Sequence, residues 1–461
     1  MNNASSVSTQ ITPLEALPNL LALHSSFPEK YPHLLSSAAV GDNAHFDILF
    51  AYPGETLRLD QHGLQFNSNR RTDASQFLQQ LNNWWQQEEL AQQTDTHLPF
   101  TGGWFVYLSY EIANEIEPAL ELPEDSSGLP VALATRFTTA VVIDHQSANA
   151  YLVSEPGVNQ QELLNELQGD IKSSRPVVEK SVDVRFDEEP SEIHLQNLEK
   201  IHHYIREGDI FQANLSRLWN VSLADDLTDS ELFLQLKLNN PSPFACVSTL
   251  PGGSIVSSSP ERLVSIHGQR VDTRPIAGTR PRAADEDTDQ LLSDELISHP
   301  KERAEHIMLL DLERNDLGRV CQPGSIKVDE LMTIESYQHV HHIVSNVTGL
   351  KRDHVMPVDV IKAVFPGGTI TGCPKVRCME ILAELEQTGR GAYTGSIGYI
   401  NRNGDMDFNI LIRTLVKTGN NIRFRAGGGI VFDSEPEHEL AETRAKAKGL
   451  INALTRSEKG K

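Results

Sequence analysis

Two acidic segments carry the most readable chemistry in this chain. The stretch DSEPEHELAETRAKAKGLINAL at 433–454 holds Glu439, Glu442 and Lys446 at helical spacing. At about 100° per residue these three share one narrow stripe, while Leu440, Ala447, Ile451 and Leu454 share another. One face therefore packs and a second presents two carboxylates and an ammonium. Ser434 and Glu437 have capping-box spacing and Pro436 falls in the first turn, which predicts where the helix begins. The second segment, SHPKERAEHIMLLDL, predicts a helix starting at Pro300 with Glu302 and Glu305 on one face. Alone, either set would be a solvated ladder of ion pairs worth about 0.2–0.5 kcal/mol each. Together, two helices offering acids can share one hard divalent cation, and Mg2+ takes only one or two carboxylates besides water and substrate oxygens. His306 points about 100° away from Glu305, and no HExxH spacing occurs, which disfavours zinc.

The segments around these helices must position them. IRFRAGGGIVF at 422–432 reads as two short β-runs around Gly427, Gly428 and Gly429, whose bare N–H groups suit close approach to a ligand. It is neither a dinucleotide fingerprint, since Phe432 stands where the third glycine belongs, nor a Walker A loop. DIFQANLSRLW alternates as a strand, with Phe211, Ala213 and Leu215 on one face and the short polar groups Gln212, Asn214 and Ser216 on the other. GGSIVSSSPERLVSIHG reads as a hairpin around Glu261. Enclosed, that carboxyl would have a raised pKa and could act as a general acid; exposed, it could not. In VDTRPIAGTRPRAADEDTD, Arg274, Arg280 and Arg282 lie near Gly278 and Thr279, where an oxyanion could be held bidentately. FPGGTITGCPKVRCMEILAELE is a loop running into a helix, with Cys373 where a phosphate loop needs Lys. NILIRTLV sets Arg413 among apolar neighbours, and a buried Arg usually has an anionic partner.

The chain has 461 residues, room for two or three domains. Hydrophobic content of 39% and charged content of 22%, with no long apolar run, describe a soluble globular protein. A net charge of −23 argues against nucleic acid or anionic membranes as partners. Cys246, Cys321, Cys373 and Cys378 are scattered, so neither a disulfide frame nor a zinc knuckle is expected. MNNASSVSTQ has no basic or apolar leader, and a cytoplasmic location is expected. Residues 73–92 have helical spacing, with Trp84 and Trp85 as core anchors. Residues 46–66 read as hairpins, and VALATRFTTAVVIDHQSANAYLVS at 131–154 as a β-meander. Composition turns polar and acidic over 160–192, which suggests a boundary near residue 180, between 1–180 and 181–461, or else a surface connection between intermixed halves.

PIAGTR at 275–280, KERAEHIMLLDLERNDLGRV at 301–320, HHIVS at 341–345, FPGGTITGCPK at 365–375, GSIGY at 395–399, IRT at 412–414 and AGGGIV at 426–431 together resemble the chorismate-utilising enzymes. The likeness runs in order over about 190–455, and residues 11–155 look more loosely like the N-terminal region of anthranilate synthase and aminodeoxychorismate synthase large subunits. It implies an α/β fold with two large antiparallel sheets packed as a sandwich and flanked by helices. It implies that Glu305 and Glu442 bind Mg2+, with Glu302 and Glu439 close behind, and that the metal, Lys446 and the glycine run hold the ring carboxylate of chorismate. Arg413 and Tyr393 match the positions that hold the enolpyruvyl carboxylate. Glu261 matches the acid that protonates the leaving C4 hydroxyl, Thr279 lies in the pocket wall, and His342 matches a histidine implicated in proton transfer.

Family members that use water carry a Lys where this chain has Gln212, and a neutral amide is no base near pH 7. The resemblance therefore implies ammonia as nucleophile, supplied by a separate glutaminase subunit (component II). FPGGTITGCPK and FQANLS look like the aminodeoxychorismate synthase branch, on the route to p-aminobenzoate and folate, and the anthranilate synthase feedback motif LLES reads LLSS here, at Leu34 to Ser37. Against this, Ala277 replaces the lysine of a PIKGT motif that many aminodeoxychorismate synthases use for covalent attack, so that ammonia would have to add at C2 before a second displacement at C4, or another residue, with Lys375 a weak candidate, would have to act as the nucleophile. Anthranilate synthase, on the tryptophan route, is the alternative within the family. A non-catalytic scaffold that binds an aromatic effector is the alternative outside it.

Overall fold

A computed structural model describes residues 9–37, 45–67, 69–70, 76–90, 96–283, 285–337 and 340–455. Among these, two 12-stranded sheets form an α/β architecture, and every recorded strand pairing is antiparallel. The first sheet runs from Gln10–Pro13 through Asn149–Ser154, Thr139–Asp144, Phe46–Ala51 and His33–Ser36 to Phe244–Leu250, Gly253–Ser259, Thr414–Thr418, Asn421–Ile430, Gln212–Leu223 and Val184–Glu188. The second runs from Ile276–Pro281 through Val340–Leu350, Arg270–Arg274, Arg262–His267, Met406–Asn409 and Ser396–Asn401 to Gly103–Leu108, Ala132–Phe137, Thr56–Asp60, Gly63–Phe66 and Asn69–Arg70. Both sheets take strands from either side of residue 180.

The faces of the two sheets meet in a core that contains Ile48, Phe50, Val142 and Ile255 from the first and Phe105, Leu133, Phe137 and Ile397 from the second. His33 stacks on Phe105 across this layer with ring centroids 3.7 Å apart. Helices cover the outer faces. Phe77–Glu88 and Pro357–Val364 pack on the second sheet, with Trp84 and Trp85 buried as anchors. Leu20–Ser26, Asp229–Asn239 and Pro436–Leu454 pack on the first. Local sequence sets several of these boundaries. Thr228 and Glu231 form a reciprocal capping box at the start of Asp229–Asn239. Gly208, at φ +82°, ends Ser191–Glu207 in the left-handed conformation that glycine adopts readily.

Several expectations need correction. The segment 131–154 is not one meander: Ala132–Phe137 joins the second sheet and Thr139–Asp144 the first. The chain crosses between layers at Thr138, a step that alternation within one strand cannot reveal. The glycine run does not separate two short strands but lies inside one, Asn421–Ile430, in register with Gln212–Leu223 from Ala213 opposite Ile430 to Ser222 opposite Asn421. The C-terminal helix has Glu435 as its N-cap, without a side-chain capping bond. Ser434 instead donates to Glu439 Oε1 at 2.6 Å and accepts from Val431 N at 3.1 Å. The expected helix over 73–92 is observed as Phe77–Glu88, residues 73–75 and 91–92 lying outside the described ones.

Candidate active site

Glu261 follows the strand Gly253–Ser259 through Pro260, and its carbonyl accepts from Ile410 N at 3.0 Å. This clamp turns the side chain inward, leaving the residue 4% exposed. Burial pushes the carboxyl up to about 7, against the opposing pull of Thr369 and of the Ile276 N–H, which lies 3.4 Å from Oε1. The enclosed case anticipated for this acid is the one observed. Arg413 adopts φ +51°, a left-handed backbone uncommon outside glycine. Burial lowers the pKa of its guanidinium and the charge of Glu261 opposes that. No ion pair to Arg413 occurs among the described residues.

Both side chains line one cavity of about 170 Å³, together with Thr279, His342, Tyr393 and Lys446. Thr279 Oγ1 and His342 Nδ1 are 2.9 Å apart. Burial, aided by the Arg413 charge, depresses His342 to about 3, so its imidazole is neutral at pH 7. Its Nε2 is buried with no hydrogen-bond partner among the described residues. Tyr393 is buried and its hydroxyl is pushed up to about 12 by burial. Lys446 Nζ donates to Gly427 O at 2.9 Å and pairs with Glu442 at 2.7 Å.

The glycine run allows three close approaches. A Cβ at Gly427 would lie 2.8 Å from the Tyr393 hydroxyl and 2.9 Å from Asn214 Oδ1. One at Gly429 would lie 2.2 Å from Gln212 Nε2. One at Gly428, on the opposite face, would meet Glu439 and Glu442 carboxylate oxygens at 3.2 and 3.4 Å. Gly427 thus belongs to the cavity wall, whereas Gln212, Gly428 and Gly429 stand beside it.

Of the four acids, Glu302 accepts from Arg280 at 3.2 Å, Glu439 accepts from Ser434, and Glu442 pairs with Lys446. Among the described residues no three His, Cys, Asp or Glu side chains stand close enough to share a metal ion. The donor chemistry still fits a hard cation. Glu439 and Glu442 present oxygens to the one bare Cα of Gly428, and Mg2+ needs only one or two carboxylates. Arg280 and Lys446 supply positive charge against Glu302 and Glu442.

The oxyanion site expected from Arg274, Arg280 and Arg282 does not form. Arg274 pairs with Glu330 and Glu335, Arg280 with Glu295 and Glu302, and Arg282 with Asp289, so each guanidinium is already neutralised. Spacing missed another set. Glu386, fully enclosed behind Asn214 and Tyr393, pairs with Arg390 at 2.8 Å and Arg425 at 3.5 Å, and accepts from Ser216 N and Oγ. Burial opposes its ionisation, yet the two guanidiniums hold its pKa below the ordinary carboxylate value. Arg390 also donates to the Asn214 carbonyl at 2.7 Å, which ties this network to the cavity wall. A basic residue inside an otherwise apolar alternation, as in RFRAGGG, was the available signal.

The model of the family described as chorismate binding enzyme matches residues 45–452. The chain belongs to that family. Among curated relatives, the aminodeoxychorismate synthase component 1 of Bacillus subtilis (strain 168) is 43% identical over 80% of this chain and 80% of its own length. An anthranilate synthase component I-like protein of Synechocystis is 44% identical over 78% and 74%. The crystal structure of anthranilate synthase component I from Streptococcus pneumoniae TIGR4 superposes with a TM-score of 0.79 at 30% identity, covering 89% of this chain and 93% of that one. The chorismate-binding family thus accounts for the paired antiparallel sheets. Among the described residues, no helix is long and apolar enough to cross a membrane.

Proposed function

We propose that the chain aminates chorismate at C4, giving 4-amino-4-deoxychorismate and water on the route to p-aminobenzoate and folate, as component I of an aminodeoxychorismate synthase. The observation that carries this reading is one cavity holding both a carboxyl that burial pushes up to about 7, Glu261, and a guanidinium with no carboxylate partner among the described residues, Arg413. A dianionic, hydroxylated substrate needs both: a cation for its carboxylate, and an acid still protonated near pH 7 for its leaving group.

Arg413 and Tyr393 hold the enolpyruvyl carboxylate in this scheme, and Lys446 orients the ring carboxylate. Glu305 and Glu442, with Glu302 and Glu439 behind them, would hold Mg2+, whose charge would neutralise that carboxylate. Glu261 protonates the C4 hydroxyl as the C4–O bond breaks, so the hydroxyl leaves as water. Gln212, an amide that cannot activate water, places ammonia instead. Thr279 and His342 complete the wall. A glutaminase subunit supplies the ammonia, in the cytoplasm.

Ala277 offers no amine for covalent attack, and Lys375 donates to Asp316 Oδ2 at 2.6 Å and Val364 O at 3.0 Å, away from the cavity lining. Ammonia therefore adds at C2 as the C4 oxygen departs. A second ammonia then adds at C4 while the C2 amine leaves as ammonia, so that one ammonia is consumed and one water released overall. The same C2 adduct, on losing pyruvate, would give anthranilate, and Ala277 is the observation that favours this second reading. Ser36, standing where the feedback motif has Glu, accepts from Lys237 at 3.1 Å and supports the first.

Incubation with chorismate, Mg2+ and an ammonium salt tests the choice. The expected product is converted to p-aminobenzoate only when a lyase is added. Fluorescent anthranilate formed without a lyase would overturn the assignment, and no aminated product at all would overturn amination.

A further inference from the structure

Two amide oxygens, one in the cavity wall and one beside it, lack any hydrogen-bond partner among the described residues. Asn214 and Gln212 are 8% and 7% exposed, and Asn214 Oδ1 and Gln212 Oε1 are both buried without one. Leaving a buried acceptor unpaired costs about 1–3 kcal/mol, so two on one strand face call for a ligand that donates hydrogen bonds. The orientation of Asn214 is determined by its other half. Nδ2 donates to Thr369 O at 3.3 Å, which turns Oδ1 to the other side of the amide, where a Cβ at Gly427 would lie 2.9 Å from it. The main chain is equally constrained, since Asn214 N donates to Thr371 O at 2.9 Å and Asn214 O accepts from Arg390 at 2.7 Å. Gln212 lies two residues earlier on the same face, about 7 Å along the strand. It stands beside Gly429, outside the cavity lining, whereas Asn214 is part of that lining.

We propose that Asn214 Oδ1 is the acceptor that receives ammonia inside the cavity, with Gln212 Oε1 as the acceptor one step outward, so that the polar face of this strand forms a two-station track for a small neutral donor. Ammonia has three N–H donors and a single lone pair. Held through its hydrogens by carbonyl-type oxygens, it keeps that lone pair free to attack. Water at the same station has only two donors to give, and neither amide can remove a proton from it. This inference rests on the amination reading and names the residues that bind its nucleophile.

The test is steady-state kinetics of the full chain with Mg2+, chorismate and ammonium chloride, each substrate varied with the other saturating. Asn214→Leu keeps the side-chain shape and removes the acceptor. Its apparent KM for ammonia should rise about tenfold, as expected for one lost hydrogen bond, while the KM for chorismate stays within twofold. Asn214→Ser, which draws the acceptor back, should raise the ammonia KM by a smaller factor, and it decides the matter should the leucine variant fail to fold. An unchanged ammonia KM in a folded variant, or a rise confined to the chorismate KM, overturns the ammonia track and leaves the amination reading intact. A wild-type chain that forms no aminated product from ammonium overturns the amination reading itself, and the track with it.

Discussion

The Arg390 guanidinium and the Glu386 carboxylate stand 2.8 Å apart, both almost completely enclosed, with Arg425 as a second cation on the same acid. Removing the acid would leave two buried guanidiniums behind Asn214 and Tyr393 with no counter-charge. Glu386→Gln should destabilise the fold by about 3–5 kcal/mol, read as a lower denaturation midpoint. A variant as stable as the parent would show that solvent reaches this network.

The carboxyl of Glu261 predicts a pH profile. Its folded value, about 7, lies above the ordinary 4.5, so the folded state favours the protonated form. Stability contributed by this group should fall as pH rises from 4.5 to about 7, opposite in sign to a salt-bridged carboxylate. As a general acid it works only when protonated, so kcat at saturating ammonia should also fall as pH rises through that value. Glu261→Gln should lose about 10²–10⁴-fold in kcat and still bind chorismate. A variant retaining parental turnover would remove the acid role.

Arg413 separates stability from binding. It has no carboxylate partner among the described residues, so replacing it relieves a partly buried cation in the free protein. Arg413→Met should match or exceed the parent's thermal midpoint without ligand. Chorismate should stabilise the parent but barely shift the variant, whose affinity falls by about 1.5–3 kcal/mol, the range for a hydrogen bond to a charged group. Equal ligand-induced shifts in the two proteins would rule out a carboxylate contact.

Metal removal should abolish turnover, with Mg2+ restoring it. Glu442 would be available to hold the ion only once its pairing with the Lys446 ammonium, at 2.7 Å, is given up. Lys446→Met should therefore lower the Mg2+ concentration needed for half-maximal binding while raising the KM for chorismate. Glu442→Gln should raise the Mg2+ requirement. Titration of Mg2+ followed calorimetrically checks both, and identical isotherms for parent and both variants would contradict a metal at this helix.

Legibility differed residue by residue. Glu261, Thr279, His342, Tyr393, Arg413 and Lys446 were all named from sequence and all line one cavity. The start of the helix Pro300–Gly318 was readable because proline acts on its own backbone. Arg274, Arg280 and Arg282 were misread because composition shows that cations are near one another but not which acids fold onto them. Arg390 and Arg425 were overlooked because Glu386, their shared partner, precedes one by four residues and the other by 39.

The amino-acid sequence by itself determined the local periods: which faces of helices and strands carry acids, amides or apolar groups, and, at Pro300, where a helix begins. These depend on dihedral preferences and side-chain spacing within a few residues. Only the tertiary structure decided that Thr138 marks a crossing between sheets, that Glu261 is enclosed, and that Asn214 has at the cavity wall an oxygen without a partner among the described residues. Those outcomes depend on desolvation and on partners far away in the chain, such as Thr369 and Arg390 around Asn214, which spacing along the chain does not encode.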